Sequence, residues 1–230
     1  RDMINKNIDI GLLQETYVNS GIYEASSQSS DIKGVLYFER QNNPNQPAST
    51  SYGQGFYVNE RLRPHYITHK YLTNRLSYIQ FNLAAKGNVP QILTILNCYA
   101  PHTGRSEYER RQFLQQLSEH YQRQSSIILL GRDFNAKLGQ RFNNHSTLES
   151  QIIGRHAKGT TNEAGTKLRK FLHDHLLAAN TCFRHPLHLR VTWIGTTHNT
   201  KRANQIDYML IPHRLRKLLR NSRSILTFQH

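Results

Sequence analysis

The stretch Ile127-Ile128-Leu129-Leu130-Gly131-Arg132-Asp133-Phe134-Asn135 decides how the chain is read. Four apolar residues bounded by turn formers read as a buried strand, and a carboxylate and an amide follow directly at its end. A carboxylate in that position is costly unless it is paired or bound to a cation. Working outward, the same arrangement recurs. Ile8 to Leu13 is a short apolar run followed by Gln14-Glu15-Thr16. Gln91 to Tyr99 reads as a strand ending in Tyr99, with Ala100-Pro101 behind it, and Gln205 to Ile211 carries Asp207. Three carboxylates from three strands, in a chain with 15 Asp and Glu in all, point to one acidic site. Such a site in a basic protein suits a divalent cation facing a phosphate, and Mg²⁺ takes hard oxygen ligands of this kind. Singly, each residue has a plainer reading: a solvated strand end for Glu15, a turn acid for Asp207, a turn former for Asn135.

The basic balance is pronounced. Among 230 residues, 30 Lys and Arg oppose 15 Asp and Glu, a net charge of +15 with His neutral. Residues 1–115 are net +3 and residues 116–230 net +12. That excess favours a polyanionic partner, and DNA over a membrane because no basic amphipathic helix with a clean apolar face stands out. An aromatic content of 10% is too high for a disordered basic tail. No apolar run approaches the roughly 20 residues needed to span a bilayer. Two cysteines, Cys98 and Cys182, make no disulfide scaffold and read as core thiols. They fit a reducing nuclear or cytoplasmic compartment, and no secretory signal opens the chain.

Further elements follow from the pattern. Strands are expected over Gly34–Phe38, Gly55–Val58, Leu76–Leu83, Ala179–Phe183 and Val191–Ile194, and polar loops over Ser20–Ser30 and Gln41–Gln54. Leu76–Leu83 and Gln91–Tyr99 form a hairpin turning at Lys86-Gly87-Asn88. Ser106 and Glu109 predict a capping box, with Phe113, Leu114, Leu117 and Tyr121 on one helix face. Thr160 and Glu163 predict a second, opening a helix with Leu168, Phe171, Leu172, His175 and Leu176. Pro212 fits the first turn of a last helix. The whole, residues 1–230, reads as one α/β domain.

The boxes themselves carry a resemblance. Leu13-Gln14-Glu15-Thr16, Asn97-Cys98-Tyr99-Ala100-Pro101, Gly131-Arg132-Asp133-Phe134-Asn135 and Asn204-Gln205-Ile206-Asp207-Tyr208, preceded by Thr192-Trp193, resemble in order and spacing the motifs of the endonuclease/exonuclease/phosphatase superfamily. The glycines from Gly154 to Gly165 resemble its apurinic/apyrimidinic-like branch in non-LTR retrotransposons. The resemblance implies a four-layer α/β sandwich of two packed mixed sheets flanked by helices. It also implies phosphodiester cleavage that depends on Mg²⁺, with Mn²⁺ as a substitute. By matching position, Glu15 would ligate the metal, Asp133 would activate water, and Asn135 and Tyr99 would hold the phosphate. Asp207 would orient a C-terminal His. The implied partner is DNA, and the implied setting a monomeric domain fused to a reverse transcriptase.

The chain departs from that pattern at its ends. The superfamily's first strand, with its Asn, is expected to be missing, because residues 1–7 read as the helix after it. Phe228-Gln229-His230 stands where Ser-Asp-His is usual. The expectation is a fold lacking edge or terminal strands and weak or inactive as an enzyme. Beyond the boxes, His102 follows the Tyr99-Ala100-Pro101 turn near the phosphate position. Lys201 and Arg202, in a loop between Trp193 and Asp207, are candidates for backbone phosphates, and Trp193 for stacking. Surface decoration for His102 and a packed, half-buried Trp193 are the plainer readings. His173-Asp174-His175 diverge on a helix, His185 and His188 lack a third ligand, and the basic run Arg214 to Arg220 reads as a solvated face. Three functions compete: a DNA-nicking endonuclease, a phosphomonoesterase acting on inositol phosphates or lipids, and a non-catalytic nucleic-acid-binding remnant.

Overall fold

The computed structural model describes residues 3, 6–27, 30–39, 53–86, 89–123, 127–141, 147–173, 175–197 and 200–225. Most of the Gln41–Gln54 loop, the Gly87-Asn88 turn, Asp174 and the Phe228-Gln229-His230 end lie outside them. The chain divides into two compact units, Arg1–Cys98 and Tyr99–His230.

The first unit is built from strands. β1 (Ile10–Gln14), β2 (Gly21–Ser27), β3 (Ser30–Glu39) and β4 (Gln54–Asn59) form an antiparallel sheet in the order β1-β4-β3-β2. Every residue of β4 is buried, as suits an inner strand. β5 (Tyr66–Thr73), β6 (Leu76–Lys86) and β7 (Val89–Tyr99) form an antiparallel meander, so the expected hairpin is present as β6 and β7. The two sheets meet through side chains: Tyr37 of β3 stacks on Tyr66 of β5 with ring centres 5.0 Å apart. Asn97 of β7, 0% exposed, donates to the Leu13 carbonyl of β1 at 2.8 Å and the Gly55 carbonyl of β4 at 3.3 Å. It accepts from Gln14 Nε2 at 2.7 Å.

One expectation fails here. Most of Ser20–Ser30 is not a loop but β2 and the start of β3. Its polar composition misleads because β2 lies at a sheet edge, where main-chain pairing with β3 suffices and side chains stay wet. Ile22 and Tyr23 are accordingly exposed.

The second unit mixes helices and strands, which gives the α/β class. α1 (Glu107–Gln122) opens with the expected capping box: Glu109 N donates to Ser106 Oγ at 3.2 Å and Ser106 N to Glu109 Oε2 at 3.1 Å. Phe113 and Leu117 of its apolar face are buried. β8 (Ile127–Asp133), α2 (Thr147–Ile152), α3 (Glu163–Leu172) and β9 (Leu176–Ala178) follow. β10 (Trp193–Thr197) pairs with β11 (Thr200–Asn204) as a two-stranded ribbon, and β12 (Asp207–Pro212) pairs antiparallel with both β8 and β9. Leu117, Leu130, Leu172, Leu177 and Leu210, all 0% exposed, are core residues of this unit. Truncating any one to Ala costs about 2–5 kcal/mol.

The helix from Glu163 differs from expectation at both ends. Its cap is Asn162, whose Oδ1 accepts from Gly165 N at 2.8 Å, rather than Thr160. It stops at Leu172, and His175, at φ +65°, turns the chain so that Leu176 enters β9. Residues Ala179–Thr181, expected as strand, form a 3-10 turn, and the helix after Pro212 is a 3-10 segment, His213–Leu218. Lys201 and Arg202 stand on β11 rather than in a loop.

Candidate active site

β8 ends on Asp133 and β12 begins with Asp207, and antiparallel pairing sets these two residues directly opposite each other. Residues opposed in this way share a face of the sheet, and like charges there repel. Burial pushes the Asp207 carboxyl up, while a Thr192 hydrogen bond and the Arg132 charge pull it partly back. Thr192 Oγ1 also accepts from Ile206 N at 2.9 Å and Asp207 N at 3.0 Å. Asn180 Nδ2 donates to the Asp207 carbonyl at 2.9 Å, while its Oδ1 is buried and unpartnered among the described residues.

Asn135 closes the end of β8. Its backbone N donates to Asp133 Oδ1 at 2.8 Å, and its Nδ2 to Asp133 Oδ2 at 3.2 Å and the Ala100 carbonyl at 2.8 Å. Asn135 is left-handed, at φ +45°, a conformation that Asn tolerates. Ala100 N returns a bond to the Asp133 carbonyl at 2.8 Å, so the turn after Tyr99 and the Asp133 loop are laced together.

Residues that sequence reasoning passed over hold this loop. Asn162 Oδ1 takes Lys137 N at 2.9 Å as well as Gly165 N. Tyr208 Oη accepts from Leu138 N at 3.0 Å and donates to the Gln205 carbonyl at 2.7 Å. Arg169, 5% exposed, donates Nε to the Leu138 carbonyl at 2.9 Å, reaches the Gln140 carbonyl and pairs with Glu149 at 2.7 Å. Two glycines of the 154–165 segment have a packing cause, while Gly159, at φ +72°, has a conformational one. A Cβ on Gly165 would lie 1.8 Å from the Lys137 carbonyl oxygen, and one on Gly154 2.2 Å from that of Thr181.

The other expected residues stand as follows. Glu15 follows β1 in the first unit, exposed and at φ +53°. Tyr99 ends β7 and is half-buried. His102 is exposed, its Nδ1 accepting from Gly104 N at 3.1 Å. Trp193 is 40% exposed at the start of the ribbon, and Lys201 and Arg202 are exposed on its second strand. Arg202 pairs with Gly195 and Lys201 with Thr196, so the two cations face opposite sides. Cys98 is buried as expected, and Cys182 partly so.

Among the described residues no group of three or more His, Cys, Asp or Glu could hold a metal ion. Mg²⁺ needs fewer, commonly one or two carboxylates with waters. The opposed Asp133 and Asp207 are hard oxygen donors of the kind that fits such an ion.

No family model matches the chain. Its fold is similar to the catalytic domain of Xenopus laevis APE2, at a TM-score of 0.61 and 14% identity, covering 94% of this chain and 78% of that one. It is similar also to the AP endonuclease LMAP of Leishmania major, at 0.54 and 13% identity, over 94% of this chain and 73% of that one. The endonuclease domain of TRAS1, a telomere-specific non-LTR retrotransposon, aligns at 0.52 and 14% identity, over 94% and 78%. The chain thus has the fold of these endonucleases, and its four motifs lie in order along it. A relative by sequence is Craniofacial development protein 2 of Bos taurus, 30% identical over 176 residues, or 75% of this chain. The matched region is only 27% of the length of that relative. No described helix is long and apolar enough to cross a membrane.

Proposed function

We propose that the chain is a Mg²⁺-dependent phosphodiesterase that nicks DNA, the endonuclease domain of a non-LTR retroelement or of a protein derived from one. The observation that carries this is the opposed Asp133–Asp207 pair with Asn135 clamped onto Asp133. Two carboxylates at opposed strand positions in a protein of net charge +15 support work on a phosphate. Glu15 is the metal ligand. Bound Mg²⁺ or Mn²⁺ supplies charge stabilisation to the phosphoryl oxygens. Asp133 orients the attacking water and takes its proton, Asn135 and Tyr99 hold the phosphate, and Asp207 orients the catalytic groups beside it. His102, Lys201 and Arg202 meet backbone phosphates and Trp193 offers a stacking face. The likeness to the TRAS1 domain supports the retroelement setting. The domain works as a monomer, in the full element alongside a reverse transcriptase.

The test is supercoiled plasmid with Mg²⁺, beside the Glu15→Ala and Asp133→Ala variants. Each substitution is expected to reduce nicking by about 10²-fold or more. Nicking that survives both sinks the site. Release of inorganic phosphate from inositol phosphates without nicking makes the chain a phosphomonoesterase, and salt-sensitive DNA binding without cleavage makes it a non-catalytic remnant.

A further inference from the structure

Five arginines of the second unit gather around two acid-free stretches. Residues 150–162 and 176–206 contain no Asp or Glu. Hydrogen bonds draw these segments together. His156 N donates to the Thr181 carbonyl at 2.9 Å, and Gly154 N to Thr181 Oγ1 at 2.7 Å. Arg190 Nη1 donates to the His156 carbonyl at 3.1 Å, Arg141 Nε to that of Ile153 at 2.8 Å and Arg216 Nη1 to that of Ser150 at 3.5 Å. Arg155, Arg184 and Arg216 are exposed around this frame.

The members feel one another's charge. Burial, then Arg190, Arg184 and Arg155, hold the His156 imidazole below its ordinary range. Burial, then Arg155 and Arg216, lower Arg141. Glu149 acts on Arg141, but it is bonded to Arg169 at 2.7 Å. Among the described residues none of the five arginines is in an ion pair, and the buried Arg190 Nε has no hydrogen-bond partner. Uncompensated like charge destabilises a fold, so an anion from outside accounts for the arrangement best. Arginine also matches phosphate with two parallel hydrogen bonds.

The cluster's position narrows the anion. Asn180 holds the Asp207 carbonyl, and Arg184 follows it by four residues. We propose that the cluster anchors the phosphate backbone of duplex DNA, with Arg184 within about 14 Å of Asn180, or about four nucleotide steps. This rests on the endonuclease reading above.

The experiment measures binding of a short fluorescein-labelled DNA duplex by anisotropy, in EDTA, over a range of salt. For Arg155→Ala/Arg184→Ala the slope of log affinity against log salt is expected to flatten by roughly 1.8, the loss of two phosphate contacts. Arg155→Lys/Arg184→Lys retains the slope. Arg123→Ala/Lys170→Ala, which removes two exposed charges elsewhere, also retains it. Nicking at saturating plasmid is unchanged in the Arg123→Ala/Lys170→Ala control. An unaltered slope in the first variant, or equal flattening in the Arg123/Lys170 control, overturns the anchor. If wild type binds with this slope contrast yet never nicks, the endonuclease reading falls and the anchor stands.

Discussion

Asp207 is the residue on which stability and chemistry pull apart. Its folded-state pKa is raised above the ordinary 3.8, chiefly by burial, so folding favours the protonated form. The penalty is absent below the unfolded value, grows as pH rises through the window up to the raised folded value, and is constant above it. Asp207→Asn should therefore melt above the wild type at neutral pH and lose that advantage near pH 3.8, as calorimetry across pH would show. With Mg²⁺ the ranking narrows, because a cation favours the charged carboxylate that the variant lacks. Asp133→Asn keeps an Oδ1 acceptor for Asn135 N but loses the Oδ2 acceptor of Asn135 Nδ2, and so should melt slightly below the wild type while nicking falls by about 10²–10⁴-fold. A drop of several degrees in its melting temperature would mean that the carboxylate is structural.

At the level of elements, the turn after β8 is held from three directions, by Asn162, Tyr208 and Arg169. Arg169→Met should cost about 3–5 kcal/mol in chemical denaturation, because Glu149 loses its partner in a buried setting. Adding Glu149→Gln should restore part of that loss, and no recovery would assign the cost to the orphaned carbonyls alone. These elements also mark how far the sequence could be read. β8, β12 and the four boxes were legible because apolar runs with polar ends survive any tertiary context. The cap of α3 was not. Both Thr160 and Asn162 are able to cap, and only Lys137 N, 25 residues away along the chain, selects Asn162. Arg169 drew no reading from the sequence, since nothing nearby along the chain shows the carbonyls that bury it. β2 hid behind serines that an edge strand tolerates. Asp207 was legible as a strand acid, but its partnership with Asp133 comes from the register of two strands far apart in sequence.

Over the whole molecule, charge and burial are unevenly shared. The surplus of +12 in the second half lies with the opposed carboxylates and the arginine cluster, so association with DNA should weaken steeply as salt rises. In the first unit a buried polar side chain joins the two sheets. Asn97→Ala strips the Leu13 and Gly55 carbonyls of their shared donor, at a cost of about 1–3 kcal/mol for a buried group left unsatisfied. The two thiols give that loss a direct readout. Cys98 is 0% exposed in the first unit, and Cys182 lies partly buried in the second, its thiol pushed up by burial. An alkylating reagent reaches Cys98 when the fold around it opens, so its labelling rate tracks that opening. Asn97→Ala should speed alkylation of Cys98. Equal acceleration at Cys182 would mark one cooperative body, and an unchanged rate there would mark two, so the chain carries its own gauge of cooperativity.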